Sequence, residues 1–361
     1  MFRYMCIRRL FLASTILVAS LATTASASSV EFVDNGRGPV PLYLPSNYDG
    51  SKPLPLIVSL HGYSDPGVDA YFDFVPQVDQ REFLYCVPLG TSDLGGSPFW
   101  NGTDACCDFL GTGVDDSGYL RQLVELIQAQ YSVDPRSIHF TGISNGAFMS
   151  YRMACDHADL LASIVPLAGT TYIDAPDCAP SEPVHVLHLH GTADSTIQYD
   201  GGCIVFNCYP GAEESISTWL DYNGCDAMPM DGGPAFNLDW SVGGNETTST
   251  IYQQACDDGV TVELWKMDGS EHVPNFRRGS DPPSDNLFAN RVIDWMLSHR
   301  KPGNVLCPGD VDTSGGVDVE DLLLVLAQWG SNDASADIDQ NGMVGVGDLI
   351  QLVEAWGDCP A

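Results

Sequence analysis

Residues 54–60 form a nearly unbroken apolar run, Leu54-Pro-Leu-Ile-Val-Ser-Leu60, short enough to be a strand buried on both faces. Similar runs recur at 83–87, 137–141, 162–167, 184–189 and 261–267. Between them the spacing changes. Leu120, Leu123, Val124 and Ile127 stand at i, i+3, i+4 and i+7, which predicts an amphipathic helix over 117–131. A proline-free run containing Ala147, Phe148, Met149, Tyr151, Arg152 and Met153 predicts a second helix after the 137–141 strand, and further helices are expected near 213–222 and 286–298. Strands alternating with helices predict an α/β unit over 29–300: a doubly wound, mostly parallel sheet covered on both faces.

The two ends read differently. Arg3, Arg8 and Arg9 precede an apolar stretch over 10–22, and Ala25-Ser26-Ala27 offers small residues for cleavage. This is the pattern of a secretory signal peptide over 1–27, so an exported protein is expected. The apolar segment is short for a permanent membrane span, and no later stretch is long enough to be one. At the other end Lys301-Pro-Gly303 opens a linker over 301–306. Beyond it, over 307–361, there is no Lys or Arg, and a repeat appears: Asp310-Val-Asp-Thr-Ser-Gly315 recurs 27 residues later as Asp337-Ile-Asp-Gln-Asn-Gly342. Each copy runs on into an apolar helix closed by Trp-Gly, expected over 322–329 and 349–356.

A formal charge of −33 argues against nucleic acid or anionic membranes as partners, because phosphate binding needs clustered Lys and Arg. Twelve cysteines agree with an oxidising compartment, and Cys6 would leave with the leader. Position suggests pairing Cys307 with Cys359, Cys225 with Cys256, Cys203 with Cys208 and Cys155 with Cys178. Cys86 and the vicinal Cys106-Cys107 remain unassigned, since connectivity does not follow from sequence.

The candidate chemistry centres on Gly142-Ile-Ser-Asn-Gly146, between a strand and a helix. Small residues at both ends of this pentapeptide permit a sharp turn that projects Ser144 from the top of a sheet as a nucleophile. A serine nucleophile needs a base and an acid to orient it. Asp194, in Gly-Thr-Ala-Asp194, follows the 184–189 strand, and His272, in Gly-Ser-Glu-His272, follows the 261–267 strand. Their chain order after Ser144 suits a doubly wound hydrolase, and carboxyl ends of parallel strands are where such sheets build sites. An oxyanion needs two donors. The Asn145 N–H, at the helix start, is one; the Tyr63 N–H, in the loop after the first long strand, is the other, with His61-Gly62 shaping the turn. The remaining histidines fit worse: His61 and His139 precede the serine, and His157 and His299 end helices. His188 and His190 share one strand face, where a metal pair is conceivable, yet no third ligand stands at useful spacing.

Several pieces together resemble the secreted polyhydroxybutyrate depolymerase and feruloyl esterase group of α/β-hydrolases. They are Leu60-His-Gly62, Phe99-Trp-Asn101 followed by Cys106-Cys107, Val114-Asp-Asp-Ser-Gly-Tyr-Leu120, Val133-Asp-Pro135, Gly142-Ile-Ser-Asn-Gly146, Tyr151-Arg-Met-Ala-Cys155, His190-Gly-Thr-Ala-Asp194 and Gly269-Ser-Glu-His272. The resemblance implies serine esterase chemistry on polymer-linked esters, without an organic cofactor. It also implies that Trp100 and Asn101, as substrate-binding residues, and Asp116 lie near the site. Glu271 departs from the glycine often found before the histidine. Acetyl xylan esterase activity uses the same machinery, and an inactive hydrolase fold acting as a tethered binding protein is the rival from another class.

Calcium takes six to eight oxygens from loop positions 1, 3, 5, 7, 9 and 12, with glycine at 6. The first repeat offers Asp310, Asp312, Ser314, the Gly316 carbonyl, Asp318 and Asp321; the second offers Asp337, Asp339, Asn341, the Met343 carbonyl and Asp348, with Gly345 bringing no side chain at position 9. Two in-register copies argue against an accidental acidic loop. Asp at position 12 resembles dockerin modules, which implies a small all-α domain of paired loop-helix units, structural calcium, and attachment to a cohesin-like scaffold. Val319-Glu320 and Val346-Gly347 are not the Ser/Thr pairs typical of cellulosomal dockerins, so a calcium-stabilised tail without a scaffold partner stands beside that expectation.

Overall fold

The computed structural model describes residues 28–65, 71–277, 286–301, 309–312, 316–331, 336–339 and 341–358. The expected leader at 1–27, Ser314 and the expected Cys307–Cys359 pair lie outside these residues. No helix among them is long and apolar enough to cross a membrane.

Ten strands make one sheet: β1 (Ser29–Val33), β2 (Val40–Leu44), β3 (Leu54–Leu60), β4 (Leu84–Cys86), β5 (Val133–Ile143), β6 (Ser163–Leu167), β7 (His185–Gly191), β8 (Met230–Asp231), β9 (Thr247–Tyr252) and β10 (Val262–Met267). Their spatial order is β1-β2-β4-β3-β5-β6-β7-β10-β9-β8. The six central strands from β4 to β10 are parallel, and the two strands at each edge are antiparallel. The chain steps from β3 outward to β4 and then returns past β3 to β5. Strand order therefore reverses between β3 and β5, and a crevice opens at their carboxyl ends. The parallel strands are those expected from apolar runs. Expectation missed both antiparallel edges, because Thr247-Thr-Ser-Thr-Ile-Tyr252 and the largely exposed β1 lack the continuous apolar signature of a strand buried on both faces.

Helices α1 (Asp116–Gln130), α2 (Asn145–Asp156) and α3 (Ala212–Tyr222) cover one face of the sheet, and α4 (Leu287–Ser298) covers the other. Leu120, Leu123, Val124 and Ile127 of α1 are fully buried, each contributing roughly 1.5–3 kcal/mol of hydrophobic stabilisation. Asp115 caps α1 by accepting from the Gly118 N–H at 2.8 Å. Ten of the twelve α2 residues are buried, so this helix is central to the core and its N-terminus is rigidly placed.

The C-terminal repeats form α5 (Val319–Ala327) and α6 (Val346–Glu354), with Val317, Val325, Ala336, Val344 and Leu352 in a small core of their own. Both helices begin three residues earlier than expected. Asp318 and Asp321 form a capping box at the α5 start, and Asp348 accepts from the Gly345 N–H at the start of α6. Polar caps therefore set these starts ahead of the apolar run.

Disulfides join Cys155 to Cys178, Cys203 to Cys208 and Cys225 to Cys256, the three pairs suggested by position within 29–300. Cys106 and Cys107 bond each other, and Cys86 is a free thiol buried in β4. The first bridge ties the end of α2 to the loop after β6 across 23 residues. Replacing Cys155 and Cys178 by serine should destabilise the protein by about 3 kcal/mol, the chain-entropy value for such a loop, read as a lower urea midpoint with a steeper slope as the unfolded chain expands.

Candidate active site

The turn from β5 into α2 is dictated by contact. A Cβ on Gly142 would collide with the Gly146 backbone, and one on Gly146 would collide with the Leu60 carbonyl at the end of β3. Glycine at both places lets the helix start press against the two strand ends. Ser144 lies between them at φ 55°, ψ −118°, a conformation costly for a residue with a Cβ. Its N–H donates to the Leu167 carbonyl of β6, and its carbonyl accepts from Ala147 and Phe148, so the strained residue is held on both sides.

His272 Nε2 accepts from the Ser144 hydroxyl at 3.0 Å, and His272 Nδ1–H donates to Asp194 Oδ2 at 2.7 Å. Residues 78 and 128 apart in sequence meet because two loops are joined. The Ala193 N–H donates to the Ser270 carbonyl at 3.0 Å, and the Gly269 N–H donates to Thr192 Oγ1 at 2.8 Å. A side chain at Gly191 would strike the Ser270 carbonyl, so glycine is required there too. Glu271, the departure from the resembled family, is exposed and leaves these contacts in place.

Asp194 itself is buried. Its Oδ1 accepts from the Thr196 and Ile197 N–H groups, each at 2.8 Å. Burial opposes ionisation, but hydrogen bonds from His190, His272 and the Ile197 N–H outweigh it and hold the carboxyl well below the usual range.

The loop after β3 lies against the serine: a Cβ on Gly62 would stand 3.6 Å from Ser144 Cβ. His61 fixes this loop. Its Nδ1–H donates to the Gly62 carbonyl at 2.7 Å, its Nε2 accepts from the Gly90 N–H at 2.9 Å, and burial pushes its pKa down, so the ring stays neutral. A trans peptide points its N–H opposite its carbonyl, so anchoring Gly62 also orients the Tyr63 N–H. Neither the Tyr63 N–H nor the Asn145 N–H is used by another described group.

Trp100 and Asn101 lie beside the site as parts of its frame. Trp100 is fully buried, its ring 5.0 Å from that of His61, and its backbone N–H and carbonyl bond both ends of the Asn145 amide at 2.7 and 2.8 Å. The Asn101 amide donates to the Val114 carbonyl, and its N–H donates to the buried Asp116, which also meets Arg37. Next to Tyr63 opens a cavity of about 240 Å³ lined by Leu94, Phe99, Phe109 and Leu110. Phe99 belongs to one of the pieces that carry the resemblance, but Leu94, Phe109 and Leu110 carried no motif, so pattern reading did not point to a cavity here. The conceivable metal pair is corrected: His188 and His190 bond each other at 3.1 Å, and their outer nitrogens meet the Tyr151 hydroxyl and the Ile197 carbonyl, leaving no lone pair for a metal.

In the C-terminal repeats, carboxylate oxygens of Asp310, Asp312 and Asp321 lie within 4.8 Å of one another, as do those of Asp337, Asp339 and Asp348. Asp318 accepts from the Glu320 N–H as a helix cap.

No family model matches the chain. It is 27% identical over 240 residues to feruloyl esterase B of Piromyces equi, covering 63% of this chain and 41% of that protein. It is 25% identical over 236 residues to the bifunctional acetylxylan esterase/xylanase of Neocallimastix patriciarum, covering 65% and 31%. With poly(3-hydroxyalkanoate) depolymerase C of Paucimonas lemoignei it shares 26% over 221 residues, covering 58% and 50%. The chain thus spans half or less of each of these relatives.

Because its folded pKa is depressed, Asp194 contributes stability that is complete above its unfolded pKa of about 4 and is lost as pH falls through the folded value. The stability gap between wild type and Asp194→Asn should therefore narrow between pH 5 and about pH 2.5, measured by urea unfolding. An unchanged gap would contradict an ionised carboxylate held by these donors.

Proposed function

We propose that the chain is a serine carboxylic-ester hydrolase acting on ester groups carried by a polymer. The observation that carries this reading is the convergence of Ser144, His272 and Asp194 at hydrogen-bonding distance beside two unused backbone N–H groups. His272 takes the Ser144 proton as Oγ attacks the ester carbonyl, while Asp194 holds the ring with Nε2 facing the serine and stabilises the imidazolium. The Tyr63 and Asn145 N–H groups bind the oxyanion. His272 then gives its proton to the leaving alcohol, and water attacking the acyl-enzyme on the same path frees the acid. No organic cofactor enters these steps.

The relatives support esters of feruloylated or acetylated plant polysaccharide and polyhydroxyalkanoate as substrates. The apolar cavity beside Tyr63 suits an acyl group of moderate size, and a dockerin-like tail favours polysaccharide-linked esters. Acetyl xylan esterase activity is the second reading, favoured by the bifunctional relative. We read the protein as exported, in keeping with its disulfides and its N-terminal pattern.

In the tail, the two carboxylate trios fit calcium, a hard cation that takes oxygen ligands. Asp310, Asp312 and Asp321 would hold one ion and Asp337, Asp339 and Asp348 the other, with Ser314, Asp318, Asn341 and the Gly316 and Met343 carbonyls completing the loops. The metal would neutralise carboxylates that no Lys or Arg of the tail can pair. A cohesin-like scaffold is the proposed partner of this module.

Ser144→Ala should lower ester hydrolysis by at least about 10⁴-fold and abolish fluorophosphonate labelling with the fold intact. Equal labelling of both proteins would remove the nucleophile from the mechanism. Release of ferulate, acetate and hydroxybutyrate by wild type, compared side by side, identifies the acyl group. Calorimetric titration of the full chain with calcium should give binding heat that Asp321→Ala and Asp348→Ala together abolish. No heat, with no change in helicity, would rule out the metal.

A further inference from the structure

A second polar row runs through the interior beneath Asp194. His188 and His190 lie two apart on β7, so both rings point to the same side of the sheet, and neither has exposed surface. The Tyr151 hydroxyl lies 2.7 Å from His188 Nδ1, His188 Nε2 lies 3.1 Å from His190 Nδ1, and His190 Nε2 lies 2.8 Å from the Ile197 carbonyl oxygen. His190 Nε2 also stands 3.4 Å from Asp194 Oδ2, the oxygen that His272 uses.

A carbonyl only accepts, so His190 Nε2 carries a proton. In a neutral ring Nδ1 is then an acceptor, which puts the His188 proton on Nε2 and leaves His188 Nδ1 to accept from Tyr151. One acceptor at the end thus assigns every proton in the row. Burial acts on the other two members in the same sense: it pushes the His188 pKa well below its ordinary value, and it raises that of Tyr151, which stays a protonated donor. The other ionisable groups near His190 do not compete for its N–H. Tyr199 meets the ring edge-on at 5.6 Å, and Lys266, paired with His190 across the β7–β10 ladder, directs its ammonium at the Tyr199 ring and Glu213.

We propose that His190 is a positioning residue for the ester hydrolysis described above: its Nε2–H clamps the turn from Asp194 to Ile197 and sets a further proton donor beside the carboxylate. Ile197 is then held from both sides, its N–H by Asp194 and its carbonyl by His190. The inference rests on the serine-esterase reading. Without that donor Asp194 becomes more basic, binds the His272 imidazolium more tightly, and moves the acid limb of kcat/KM to higher pH.

His190→Leu keeps much of the volume and removes the N–H. It should lower kcat about tenfold with KM little changed, and raise the acid limb by about one pH unit. His190→Gln retains an amide N–H at that depth and should return the limb toward the wild-type position. A folded Leu variant with kcat within twofold of wild type and an unmoved limb overturns the proposal, as does an equal displacement in both variants, which would assign the effect to packing. Should the variants fail to fold, ¹⁵N shifts of histidine-labelled wild type decide: protons on Nε2 of neutral His188 and His190 are expected, and an Nδ1–H or charged ring at either position overturns the row. Wild-type protein that hydrolyses no ester defeats the earlier reading instead, while the tautomer measurement stands by itself.

Discussion

The site depends on one steric constraint, the contact between the start of α2 and the ends of β3 and β5. Gly146 lies on the Leu60 carbonyl and Gly142 lies on Gly146, so a methyl group at either place would push the helix off the sheet. Ser144 is held in its strained conformation because the residues around it cannot move: α2 is buried almost throughout, and the serine N–H is locked to β6. Such a backbone costs on the order of 1–3 kcal/mol, less than the burial of one or two of that helix's large side chains contributes. The same contact brings the loop after β3 against the serine. Ser144 and the two backbone N–H groups proposed to bind an oxyanion are therefore placed by a single packing event.

His272 and Asp194, the proposed base and its orienting carboxylate, come from elsewhere in the chain, and their meeting depends on hydrogen bonds between two loops. The loop after β7 and the loop after β10 are adjacent because their strands are parallel neighbours. Thr192, Ala193 and Ser270 convert that adjacency into a fixed distance. Neither loop requires a particular residue at Glu271 for this, which explains how the position tolerates glutamate. The sheet thus supplies approximate placement, and a few main-chain bonds supply the final ångström on which proton transfer depends.

What the sequence made legible follows from how each element signals itself. Strands buried on both faces announce themselves as apolar runs, and glycines flanking a serine between strand and helix mark a turn with little alternative use. The polar strand Thr247–Tyr252 carries no such mark, because its residues are mostly Thr and Ser and only two of the six are buried. Trp100 shows a limit of motif reading: the resemblance implied contact with substrate, while the structure shows a buried ring and a backbone that anchors the Asn145 amide. Periodicity placed His188 and His190 on one face, but only the partners across the core decide whether two histidines bind a metal or each other.

The acidity of the chain bears on all of this. Arg37, Arg81, Arg121, Arg152, Arg277 and Arg300 each sit against a carboxylate, and with 48 acidic residues to 15 Lys and Arg most carboxylates must be stabilised otherwise. The structure does this with backbone N–H groups, at Asp93, Asp108, Asp115 and Glu246 as at Asp194. A carboxylate fixed by N–H donors keeps its charge without a cation to neutralise it, so it can still stabilise one that forms transiently, as the imidazolium of His272 would. A lysine or arginine at that place would cancel the field that makes Asp194 useful. In the tail, where Lys and Arg are absent, the same N–H groups hold Asp321 and Asp348 but leave the clustered charge uncancelled. Carboxylates held by main-chain donors thus stand singly at Asp194 and in clusters in the C-terminal repeats, where the proposed metal would cancel the shared charge.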